Sequence, residues 1–104
     1  PNPAYPPHAA LARFVAAHGD PDVAQVTAER LAGWLRRANA ERLEGALTVL
    51  GPAPCPLPRL QGRWRWHVLV KAERDARALG RVVRAWRARP RGAVIVDRDP
   101  VSML

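Results

Sequence analysis

The sequence predicts an α+β domain in the order βαββαβ, with a four-stranded antiparallel sheet and two helices on one of its faces. Three observations carry the prediction. Residues 63–71 alternate apolar and basic side chains with a period of two, broken only at Leu69, the pattern of a strand with one buried face. Two segments, 21–38 and 73–88, repeat apolar residues at helical spacing, each along a single stripe. Short apolar runs flank both segments, so each helix has one sheet face to cover. A chain of 104 residues suits one such domain and leaves little room for a second core.

The elements follow in order. Residues 1–8, with Pro1, Pro3, Pro6 and Pro7, read as an extended Pro-rich lead-in to a single domain over 9–104. Residues 9–18 form the first strand, stopped by Gly19 and Asp20. Asp20-Pro21-Asp22 starts a helix: an N-cap aspartate, a proline in the first turn and a second acid at the positive dipole end. Val23, Val26, Leu31, Trp34, Leu35 and Ala38 give that helix its apolar face. Residues 43–50 form the second strand, ended by Gly51-Pro52, and the proline-studded 52–58 reads as a loop. In the third strand, Trp64, Trp66, Val68 and Val70 share the face expected to meet the helices. Arg63, Arg65, His67 and Lys71 share the open one. The second helix carries Ala76, Leu79, Val83 and Trp86 inward, with Arg74, Arg77, Arg81 and Arg84 opposite. Pro90 ends it, and Ala93-Val94-Ile95-Val96 closes the sheet as a ferredoxin-like two-layer sandwich.

Charge is unevenly placed. Of the formal +8, residues 1–58 contribute nothing, five basic side chains balancing five acidic ones. Residues 59–91 carry eleven basic side chains against Glu73 and Asp75. Cationic charge this concentrated points to an anionic partner, most often nucleic acid. We assign DNA contact to Arg59, Arg63, Arg65, His67 and Lys71. Arg74, Arg77, Arg81 and Arg84 are assigned to a protein partner, the plain alternative being a solvated helix face.

Several classes are excluded. The one cysteine, Cys55, rules out an internal disulfide and a four-cysteine metal site, and reads as a small loop residue. His8, His18 and His67 lack metal-ligand spacing. No Gly-rich phosphate loop, paired carboxylates or Ser/His/Asp set can be assembled, so this stretch is not an enzyme and holds no cofactor. No apolar run is long enough to span a membrane. The start at a proline leads us to expect a piece of a longer protein.

Four motifs, in order, resemble those of one family. They are Tyr5-Pro6-Pro7, Val49-Leu50-Gly51-Pro52-Ala53-Pro54, Gly62-Arg63-Trp64-Arg65-Trp66 and Asp97-Arg98-Asp99-Pro100. Together they resemble the C-terminal region of the PriA family of replication-restart helicases (primosomal protein N′). The resemblance implies a fold like that of a small-subunit ribosomal protein. It implies a bacterial, cytoplasmic, nucleoid-associated parent with ATP-dependent DNA helicase lobes, ATP/Mg and a zinc site outside this stretch. It further implies DNA partners (forks, D-loops and single strands), packing on the helicase lobes of the same chain, other primosome proteins and the acidic tail of single-stranded-DNA-binding protein. The expected function is therefore a C-terminal DNA-binding domain acting in replication restart. A protein-interaction module docking on the motor lobes and that acidic tail is the alternative. His8 and Arg98 depart from the family pattern, and Asp75 and Leu79 stand where the family's tail pocket uses arginine and glutamine.

Overall fold

The computed structural model describes residues 10–89 and 94–98. The elements are β1 (Ala10–His18), α1 (Pro21–Arg42), β2 (Leu47–Leu60), β3 (Arg63–Ala72), α2 (Ala76–Arg87) and β4 (Val94–Arg98). All pairings are antiparallel, and the sheet order is β2-β3-β1-β4. This is the expected βαββαβ sandwich. The lead-in 1–8, with Tyr5-Pro6-Pro7 and His8, lies outside the described residues, as do Ala93, Asp99 and Pro100.

Local chemistry sets the element ends. Asp20 caps α1, its side chain accepting from the Asp22 amide at 2.9 Å, with Pro21 in the first turn. Asp75 caps α2 in the same way through the Arg77 amide. At the other end of α1, the Asn39 side-chain amide donates to the Leu47 carbonyl at 2.8 Å. Its oxygen accepts from the Leu47 amide at 2.9 Å, and the pair of bonds ties the helix end to the start of β2. Gln61 and Gly62 both take positive φ between the paired residues Leu60 and Arg63, the geometry of a two-residue hairpin turn.

The core lies between sheet and helices. Ala12 and Phe14 of β1 and Val68, Val70 and Ala72 of β3 meet Leu31, Ala32 and Leu35 of α1 and Leu79, Val82 and Val83 of α2. Trp34 and Trp86 pack against this cluster from the helix side, their ring centroids 5.2 Å apart. Trp86 also meets Phe14 edge-on at 6.1 Å.

Three expectations are corrected. Residues 52–58 are not a loop: they belong to β2, which runs on through Pro52, Pro54, Pro56 and Pro58 with two register irregularities. An edge strand has one side without ladder partners, so it tolerates residues that lack an amide proton. Trp64 and Trp66 share the helix-side parity of Val68 and Val70, yet both are only half-buried and neither joins the main core cluster. Cys55, expected in a loop, is a buried strand residue.

The face away from the helices is not bare. Arg13, Val15, His67 and Cys55 are all buried there or beside it. The Gly51 motif is explained at the same place. Gly51 has φ +103°, and a Cβ on it would stand 3.0 Å from the His67 carbonyl oxygen. Its own carbonyl accepts from Arg36 Nη2 at 2.6 Å, fastening β2 to α1.

Candidate nucleic-acid interface

The hairpin joining β2 to β3 carries most of the basic and aromatic residues singled out above. Arg59 and Trp64 are directly paired across it, and residues directly opposite in a ladder share a face. The Arg59 guanidinium lies over the Trp64 ring, 5.3 Å from its centroid. Arg63 is exposed, and its Nη2 donates to the Ala17 carbonyl at 2.8 Å. Arg65 is half-buried, with Nη1 donating to the Leu57 carbonyl at 3.1 Å. A guanidinium has five N–H donors, so the bond from Arg63 to the Ala17 carbonyl orients its fork and leaves other donors for a phosphate.

The five residues expected to contact DNA do not form one surface. Arg59 shares the helix-side parity of Trp64, whereas Arg63, Arg65, His67 and Lys71 have the opposite parity. Lys71 lies eight residues along β3 from Arg63, roughly 26 Å at strand rise. It sits 3.6 Å from Glu73. His67 is 8% exposed, beneath the surface rather than on it, and its Nδ1 finds no hydrogen-bond partner among the described residues. Burial holds its pKa below the ordinary value, and the neighbouring Arg13 and Arg65 charges add to the effect. Burial likewise raises the Cys55 thiol, with Arg65 and Arg13 opposing it. Arg59, Arg63 and Arg65, with Trp64 and Trp66, are thus the group that the hairpin brings to one end of the sheet.

The arginines assigned to a protein partner are all exposed on or beside α2. Arg77, Arg81 and Arg84 border two adjoining hollows of about 270 and 420 Å³, floored by Leu43, Ala78, Val82 and Ala85. Arg74 does not line either one. Arg42, from the end of α1, does, and the sequence pattern does not single it out. Nothing in a helical stripe shows that the last turn of one helix will meet the outer face of another. Asp75 and Glu44 also border the larger hollow.

Among the described residues, no helix is long and apolar enough to cross a membrane.

The chain is similar to known sequences. Residues 2–101 match the family model described as "Primosomal protein N C-terminal domain". The chain is 41% identical over 102 residues to "Probable replication restart protein PriA" of Deinococcus radiodurans, covering 94% of this chain and 10% of that protein. It is 36% identical over 72 residues to "Replication restart protein PriA" of Bacillus subtilis, covering 68% of this chain and 8% of that one. The chain therefore spans about a tenth or less of the length of these relatives.

Proposed function

The chain belongs to the primosomal protein N C-terminal domain family, and from that premise we propose that it holds branched or single-stranded DNA during replication restart through the end of its β2–β3 hairpin. The observation that carries this reading is the Arg59–Trp64 pair. An aromatic ring kept out of the core, with a guanidinium 5.3 Å from its centroid, couples a stacking surface to a phosphate contact. Arg63 and Arg65 add charge beside it, Arg63 donating to the Ala17 carbonyl and Arg65 to the Leu57 carbonyl. No device for reading base edges accompanies them, so the contact is to backbone and unpaired bases rather than to a sequence. In this reading the domain is not catalytic. ATP, magnesium and zinc belong to other parts of a PriA-like parent, and the chain works in the bacterial cytoplasm beside the nucleoid.

The test is a titration of the chain with fork, single-stranded and duplex DNA at two salt concentrations, against Arg59→Glu/Arg63→Glu. The double variant should bind all three more weakly. Its log–log salt slope on single strands should fall by roughly 0.7 for each phosphate that the variant leaves unneutralised. Unchanged affinity and slope in a folded double variant would sink the assignment.

A second reading coexists with the first, and one observation favours it. Arg42, Arg77, Arg81 and Arg84 rim hollows with an apolar floor, the shape and charge that an acidic, hydrophobic peptide requires. The acidic tail of single-stranded-DNA-binding protein is the peptide proposed for it, with the helicase lobes of the parent chain as neighbours. Arg77→Glu/Arg81→Glu should abolish binding of such a peptide and leave DNA binding at the hairpin intact. Loss of both ligands from either double variant would mean one shared electropositive field.

A further inference from the structure

On the side of the sheet away from β2, a groove of about 870 Å³ runs between α1 and the end of α2. It is lined by Val26, Arg30, Gly33 and Arg37 of α1, by Trp34 and Trp86, and by Arg89 and Val94. Neither the hairpin reading nor the acidic-peptide reading uses it. We propose that this groove is a second nucleic-acid site, which takes an unpaired nucleotide of single-stranded DNA.

Three features support a nucleotide. The floor is aromatic and topped by a flat cation: the Trp34 and Trp86 rings meet edge-on, 5.2 Å apart and at 66°, and the Arg89 guanidinium lies over both, 5.4 and 4.8 Å from their centroids. A base stacks on such a surface, either on the guanidinium or on the rings once it swings aside. The rim is cationic. Arg30, Arg37 and Arg89 face one carboxylate, Glu29, and none of the three is ion-paired to it or to another described acid. Arg30 and Arg37 stand two helical turns apart, roughly 10 Å, so they suit the phosphates of a short strand better than one isolated anion.

The third feature is Gly33. It sits in the middle of α1, where glycine costs roughly 1 kcal/mol relative to alanine. Nothing in the fold asks for it: an added Cβ would meet only Arg37 Nη1, at an ordinary 3.5 Å. With no side chain at Gly33, nothing but the Arg37 guanidinium stands over that stretch of the groove wall. A local choice made against stability is expected where a ligand needs the space.

The experiment uses intrinsic fluorescence in a Trp64→Phe/Trp66→Phe chain, so that the signal comes from Trp34 and Trp86 alone. Short oligo-dT should quench it saturably. Arg89→Ala and Gly33→Leu, one removing the stacked cation and the other filling the groove, should each weaken the binding about fivefold or more. Arg30→Ala/Arg37→Ala, at exposed positions, gives the same readout should Gly33→Leu unfold. Absence of quenching, or quenching equal in every folded variant, overturns the proposal. So does quenching by an acidic aromatic peptide where oligo-dT gives none. The hairpin reading is scored separately, because Arg59→Glu/Arg63→Glu leaves all these groove residues in place.

Discussion

Arg13 and Asp97 face each other directly across β1 and β4, with guanidinium Nη2 3.6 Å from carboxylate Oδ2. The two ends of the contact differ: the Arg13 side chain is 6% exposed and that of Asp97 is 53% exposed. A guanidinium this deep needs anionic compensation, and the first residue of the Asp97-Arg98-Asp99-Pro100 motif supplies part of it. Asp97→Ala should therefore lower stability by roughly 1–2 kcal/mol, the half-exposed partner keeping the loss below that of a fully buried pair. Asp97→Asn, which retains an acceptor, should lose less. Urea unfolding of the two variants checks this, and an Asp97→Ala midpoint equal to that of the parent chain removes the pair from the stability argument.

Two glycines should respond with opposite signs. Gly33→Ala should stabilise the chain by about 0.5–1 kcal/mol, since α1 gains a better helix former without a clash. Gly51→Ala should cost roughly 2 kcal/mol or more, because a Cβ at φ +103° is strained and approaches the His67 carbonyl at 3.0 Å. Thermal melts of both decide it; a shift of the same sign in both would show that local backbone demand is not what separates them.

Trp86 and Trp64 should differ in what their loss costs the fold. Trp86→Ala removes the ring that bridges Phe14 and Trp34, and should cost roughly 3–5 kcal/mol. Trp64→Ala removes a half-buried ring whose cation–π contact with Arg59 is worth about 0.5–1 kcal/mol, so the fold should survive with weakened single-strand binding. A Trp64→Ala chain that unfolds like Trp86→Ala would return Trp64 to the core.

Acid should destabilise the chain through His67. Its folded pKa lies below the unfolded value of about 6.5, chiefly through burial. The contribution is therefore fully present above about pH 6.5 and is lost as pH falls through the lowered folded pKa, because the unfolded state takes up the proton first. Denaturation measured from neutral pH downward should show this loss, and His67→Gln should reduce the slope. An unchanged slope would place the acid sensitivity elsewhere.

Periodicity made the fold legible. Alternation over 63–71, the Asp20-Pro21 start and the two helical stripes are enough for the element order and the side of the sheet that the helices cover. Depth is less legible. Alternation sets which face Trp64 and Trp66 point to, but not how far along β3 the buried cluster reaches, and it stops short of them. The prolines of 52–58 read as a loop because a missing amide proton excludes a central strand, and the sequence does not announce which strand will be outermost. His67 alternates with Arg65 as a surface residue would, and is buried all the same, opposite Val15 and Ala53. The Trp34–Trp86–Arg89 group joins one position of α1 to two at and just past the end of α2, and only packing of the two helices makes them neighbours.

The prolines of β2 have a consequence for how the molecule behaves in company. An outermost strand is normally an invitation: its free amides and carbonyls template another chain, and sheets then grow from copy to copy into fibres. Here Pro52, Pro54, Pro56 and Pro58 withdraw donors along the second half of that strand. A second copy brought alongside finds carbonyls with too few protons to answer them. Expressed at high concentration, or carried at the end of a much larger protein, the domain should stay a discrete unit rather than polymerise through this edge. Replacing the four prolines with threonine or valine should make aggregation followed by an amyloid dye appear where the parent chain gives none, and a variant that stays as clear as the parent would show that the edge is guarded by something else.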